Sequence, residues 1–301
     1  MRVLIIFFGL ILYTFVVGAL VSVPVYELIQ SLFSPDSYLG KQTFGKISNR
    51  VFMLVAATGL YPCYKLMSKK VTKDELGYNI SRPDFIKAVK QGLVFGLSSL
   101  FVLAILIVVL GIRPFEDDIS AGMIIKALVK ASLGGFVIGL IEETFFRGII
   151  LRSMVKTIKP FWAVIITSIV FASIHFIRNK TSGVIDEMHW YSGFTYLQGS
   201  FNNYSHPKFL GSWLTLFACG VYLSFLSLHH GNIARCLGVH AGWVIVLGVV
   251  KKITDDDTSS PLNWMIGSYD KVTGYLAFFI ITIICFSFWF LKYRKQPQQK
   301  S

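Results

Sequence analysis

Gly134-Gly135-Phe136-Val137-Ile138-Gly139-Leu140-Ile141-Glu142-Glu143-Thr144-Phe145-Phe146-Arg147-Gly148-Ile149-Ile150-Leu151 is an apolar run broken by three charges. In a soluble chain, Glu-Glu-x-x-x-Arg reads as a solvated helix face. Here apolar residues flank it on both sides, within a stretch (124–155) long enough to span a bilayer. A spanning helix needs about 20 apolar residues for a hydrocarbon core about 30 Å thick. A carboxylate at that depth is costly unless it is paired or lines a polar cavity. Glu143 and Arg147 stand i, i+4 on one helical face and can pair. Glu142 lies about 100° around the helix and needs another polar group. A carboxylate held in such a place is a natural general base.

The rest of the chain has the same character. Of 301 residues, 54% are hydrophobic and 15% charged, with a mean hydropathy of +0.61. Soluble domains carry about 25% charged residues, so too little polar surface is present to cover a globule in water. That excludes an ordinary soluble enzyme, a disordered chain, a fibrous repeat and a disulfide scaffold. Cys63, Cys219, Cys236 and Cys285 are widely spaced, show no C-x-x-C, and read as small buried hydrophobes.

Apolar runs at 3–25, 47–66, 86–111, 124–155, 160–179, 209–229, 233–250 and 271–292 predict an all-α polytopic membrane bundle of about eight transmembrane helices. The chain reads as one integral membrane domain, 1–301, with a polar tail at 293–301. The first run exceeds the usual signal-peptide core of about 7–15 residues and reads as a retained anchor. With the N-terminus inside, cytoplasmic segments hold 17 basic residues and three acids; the opposite side holds 12 and 11. This bias predicts both termini in the cytoplasm, as for a multi-pass protein of the plasma membrane. The net charge of +13 is then a topology signal, and no nucleic-acid partner is expected. The basic stretch Lys65–Lys73 would meet anionic headgroups. The loop 180–208 is rich in aromatics (Trp190, Tyr191, Phe194, Tyr196, Phe201, Tyr204), which suit the membrane interface or a lid.

Two histidines lie within spans. The fourth and fifth spans form a hairpin turning near Lys159-Pro160. Glu142 stands 17 residues before residue 159 and His175 stands 16 after it, so both lie roughly 25 Å from the turn at one height. His240, in Gly238-Val239-His240-Ala241-Gly242-Trp243, sits among small residues that let helices approach closely. His189, His206, His229 and His230 fall in loops or at span ends and read as solvated or interfacial. No His-Glu-x-x-His and no Gly-x-Gly-Asp occurs, and Gly96-Leu97-Ser98-Ser99 is not a Gly-x-Ser-Gly.

Glu142-Glu143-x-x-x-Arg147, Phe171-x-x-x-His175 and His240, in order on apolar spans, resemble the CAAX-protease and bacteriocin-processing family (CPBP, formerly Abi) of intramembrane endopeptidases. That family is related to the type II CAAX prenyl endopeptidase, and the resemblance covers about residues 120–250. It implies that Glu142 activates water, His175 holds it, and His240 stabilises the oxyanion. Glu143 and Arg147 would be the supporting pair and Phe171 would pack the site. It also implies either a metal-free reaction or a divalent metal such as zinc on Glu142, His175 and His240. The implied partners are the bilayer and a membrane-associated peptide or protein substrate. The family's third motif commonly continues His-x-x-x-Asn or Asp, and here that position is Val244. Trp243 or Asn232 would be the substitute oxyanion donor. Val244 also leaves open a non-catalytic scaffold, acting in immunity or regulation; an ion transporter is a third reading.

Overall fold

The computed structural model describes residues 2–67, 72–177 and 187–293. Lys69 and Lys70 of the basic stretch, residues 180–186 of the aromatic loop and the tail from 294 lie outside the described residues. Helix makes up 74% and no strand forms among the described residues, in agreement with an all-α bundle.

Helices stand at all eight expected positions. They are α1 (Arg2–Leu32), α2 (Phe44–Met67), α3 (Arg82–Val109), α4 (Ala121–Glu143), α5 (Arg152–Val155), α6 (Pro160–Ile174), α8 (Phe209–His230), α9 (Ala234–Ile253) and α10 (Tyr275–Tyr293), with a short α7 (Ser192–Gly199) in the aromatic loop. Thr144–Leu151 joins α4 to α5 as a π-helix, so the fourth span is not the single regular helix expected. Such turns are rare and are frequently found at functional sites. Among the described residues, α1, α3, α4 through α5, α8 and α9 are long and apolar enough to cross a membrane, while α6 and α10 are shorter apolar helices. Local signals set several boundaries. The hydroxyls of Ser81 and Ser120 accept from the backbone N–H of Asp84 and Met123 at 3.3 and 3.2 Å, capping α3 and α4. Gly231, at φ +65°, ends α8 in a conformation that glycine adopts without penalty.

The chain divides into two compact units, residues 1–71 with 175–206, and residues 72–174 with 207–301. In the first, α1 and α2 form a hairpin and α7 lies on α1. The Phe44 ring meets Tyr26 and Tyr196 edge to face, with centroids 5.5 and 6.0 Å apart. Trp190 and Tyr191 are exposed before α7, as an interfacial anchor requires.

In the second unit α9 is the central helix, buried along most of Ala234–Trp243. It packs backbone on backbone against α3. A Cβ added at Gly238 would lie 2.7 Å from the Leu93 nitrogen, and one at Gly242 would lie 2.7 Å from the Leu97 nitrogen. Small residues at such crossings let van der Waals contact replace the hydrophobic effect, which lipid abolishes. Gly242→Val is therefore expected to push α3 from α9 and leave almost no monodisperse protein by size-exclusion chromatography. Beyond the far end of α9, the buried Arg113 guanidinium donates to the Thr254 hydroxyl (2.9 Å), Thr254 O (2.5 Å) and Lys271 O (3.1 Å). Those bonds tie the segments that follow α3 and α9 to the one that precedes α10.

Candidate active site

The charged residues of the fourth span converge with α9 in the second unit. Glu143 and Arg147 have fully buried side chains and form the expected pair, with Nη1 donating to Oε1 at 3.0 Å. His240 joins them, its Nδ1 lying 2.8 Å from the same Glu143 oxygen. With Glu143 ionised beside Arg147, Nδ1 is the donor and the imidazole is held in one orientation. The other ring nitrogen, Nε2, lies 3.9 Å from Glu142 Oε2. One imidazole thus stands between the two glutamates. Within the second unit, His240 is brought to Glu142 because α4 packs against α9.

Glu142 differs from Glu143 as its place on the helix demands. Its side chain keeps 26% exposure where Glu143 has none. Arg147 is held from two further sides. Its Nη2 donates to Gly220 O of α8 at 3.4 Å. The Phe171 ring of α6 lies 4.5 Å below the guanidinium and meets Phe146 edge on at 5.2 Å. Phe171 therefore does more than fill space, since a flat ring beneath a desolvated cation adds about 2 kcal/mol.

His175 is the residue after the end of α6, half-buried, and belongs to the first unit. Val244 faces α4 at Gly135, where an added Cβ would lie 3.3 Å from its own. Neither expected substitute donor is free. Trp243 Nε1 donates to the Ser99 hydroxyl of α3 at 3.0 Å. Asn232 Nδ2 donates to His230 O at 2.8 Å, and its Oδ1 accepts from the Ala234 N–H at 3.1 Å at the start of α9. Both are consumed by the packing that positions α9. Among the described residues, no group of three or more His, Cys, Asp or Glu side chains is gathered as a metal site needs. Of the three residues that the resemblance offers as zinc ligands, Glu142 and His240 lie in the second unit, with Oε2 3.9 Å from Nε2.

Sequence reasoning missed Thr144, Tyr78 and Gly220. The α-to-π change falls at Thr144, whose hydroxyl donates to Leu140 O at 2.6 Å. That spends its one hydrogen, so the Tyr78 O–H donates to Thr144, also at 2.6 Å. Leu76 O lies against Gly148 with no room for a Cβ, and Gly77 O accepts from the Ile233 N–H at 3.1 Å. The segment 76–78 thus holds the π-helix and the start of α9 together. A Gly-Tyr loop carries no sequence signal for such a strap.

Residues 98–246 match the family model described as type II CAAX prenyl endopeptidase Rce1-like. No curated protein and no solved structure matches the chain.

Proposed function

We propose, on the premise that the chain belongs to the CAAX-protease family of membrane endopeptidases, that it hydrolyses a peptide bond of a membrane-associated protein or peptide at Glu142. The observation that carries this reading is the buried Glu143–Arg147–His240 cluster with Glu142 at its edge. An integral membrane protein does not bury three charged or ionisable groups in an apolar bundle without a use for them.

In the proposed reaction His175 positions a water and Glu142 takes its proton as the oxygen attacks the carbonyl carbon. The carbonyl π electrons move onto oxygen, where His240 Nε2 donates a hydrogen bond. Because Nδ1 already serves Glu143, that donation requires the imidazolium. On collapse the C–N bond breaks and Glu142 returns the proton to the leaving nitrogen. General-base catalysis of this kind contributes about 10²–10⁴-fold and an oxyanion donor about 10²–10³-fold. Arg147 and Glu143 do no bond chemistry; they fix the imidazole.

The reading puts the site near mid-depth. Along the α4–α5 segment Glu142 stands about 18 Å from Lys130 and about 15 Å from Arg152. Both termini would face the cytoplasm, in the plasma membrane.

The test needs no known substrate. Membranes from cells lacking the protein, or expressing the wild type, Glu142→Gln or His175→Ala, are compared for peptide N-termini that appear with the wild type and not without the protein. Loss of these termini in both variants, at equal expression, supports the reaction. Termini that persist in both leave a non-catalytic scaffold, which the apolar Val244 favours. Val244→Asn tests the same point from the other side: a second donor is expected to raise hydrolysis by about tenfold. Treatment with 1,10-phenanthroline is expected to leave hydrolysis unchanged. Loss that zinc restores would instead give Glu142, His175 and His240 ligand roles.

A further inference from the structure

Beside the candidate site, several buried polar atoms of the second unit find no hydrogen-bond partner among the described residues. They are Glu143 Oε2, Arg147 Nε, Ser224 Oγ, Ser227 Oγ and Arg152 Nε. Glu143, Arg147 and Ser224 have no solvent exposure and Ser227 has 2%. A buried polar group left unsatisfied costs about 1–3 kcal/mol. Native proteins meet such groups with internal water, which makes about three hydrogen bonds where polar partners surround it.

These atoms lie in order. Arg147 reaches α8 at Gly220 O. Ser224 and Ser227 follow Gly220 by four and seven residues and so share its face of α8. At the end of that helix the Arg152 guanidinium donates to Gly231 O and, at 2.8 Å, to Asp74 O. From Gly220 to Gly231 the helix rises roughly 16 Å, with the two hydroxyls about 6 and 10 Å along it. Oxygen–oxygen hydrogen bonds are about 2.8 Å long, so each step has a length that one or two waters can bridge. Ser224 and Ser227 are also small side chains, whereas Gly220 is closed on its Cβ side by Ser168 of α6, 2.9 Å from where a Cβ would stand.

We propose that this line is a hydrated path between α8 and the π-helix, running from a rim at Arg152 to the Glu143–Arg147 pair, and that it supplies the water consumed at Glu142. Each peptide bond cleaved consumes one water, and the lipid-facing walls of α4 offer none. The supply role rests on the hydrolase reading; the path does not.

Radiolytic hydroxyl-radical footprinting of the full chain in bilayer nanodiscs tests it, because radicals made from internal water oxidise neighbouring side chains. Cys236 is the reporter: its thiol donates to Leu223 O, next to Ser224, at 3.3 Å. Cys63 is the control, a buried thiol in the first unit 3.8 Å from Ile6 O. Cys236 is expected to be oxidised several-fold faster than Cys63, and Ser224→Leu or Ser227→Leu to bring it down to the Cys63 rate. Equal rates in the wild type overturn the proposal without recourse to any variant. A rate that stays high in both folded leucine variants overturns it too, since water then arrives elsewhere. Hydrolysis measured in parallel separates the two ideas. A labelled path without hydrolysis removes the protease and keeps the path; hydrolysis beside an unlabelled Cys236 removes the path alone.

Discussion

Glu142→Gln is expected to lower peptide-bond hydrolysis by about 10³-fold while the protein still folds and melts as the wild type does. Gln keeps the length and planarity of Glu, so the half-open edge of the cluster is filled as before. What it loses is the ability to accept a proton from water. Glu143 does not substitute, since its Oε1 already takes hydrogen bonds from Arg147 and lies 2.8 Å from His240 Nδ1. Rate and thermal midpoint measured on one preparation decide the matter. A large fall in both would mean that Glu142 is structural, and an unchanged rate would remove it from the chemistry.

Arg147→Met has the opposite signature, with stability falling first. It leaves the Glu143 carboxylate at zero exposure without its cation, a situation that costs about 3–5 kcal/mol. Against a total stability of about 5–15 kcal/mol, that removes much of the folded protein. Arg147→Lys rescues in part. An ammonium reaches Glu143, but it lacks the planar fork that also bonds Gly220 O and the flat face that rests on Phe171. Adding Glu143→Gln to Arg147→Met is expected to restore most of the melting temperature, because a neutral pair carries no stranded charge. Hydrolysis stays lost in that double variant, since His240 no longer has an anion to orient it. Thermal unfolding by fluorescence-detected size-exclusion chromatography separates these cases. A wild-type melting temperature for Arg147→Met alone would contradict the buried pair.

The spans were legible because lipid imposes one rule on each segment separately: its backbone bonds close within the helix and its side chains are apolar. The same rule exposed Glu142, Glu143, Arg147 and His240, which stand out wherever everything around them is apolar. The Glu143–Arg147 bond was also readable, since four residues along a helix fix the pair locally. Trp243 misled as a donor because its partner, Ser99, lies 144 residues away and no local pattern marks it. The π-helix at Thr144–Leu151 escaped for a related reason. It coincides with a Tyr78 hydroxyl and a Leu76 carbonyl that a loop brings to Thr144 and Gly148.

By itself the sequence determined that this is a helical membrane protein with stranded charges on its fourth and seventh spans. Only the tertiary structure decided that His240 reaches both glutamates, 97 residues from the one it bonds. The reason is register. Helical periodicity settles which way a side chain points from its own axis. Which height on one helix meets which on another is set by where the backbones of α3, α4 and α9 approach, at Gly135, Gly238 and Gly242. A shift of one turn, about 5.4 Å, would leave the same residues on the same faces and no cluster at all.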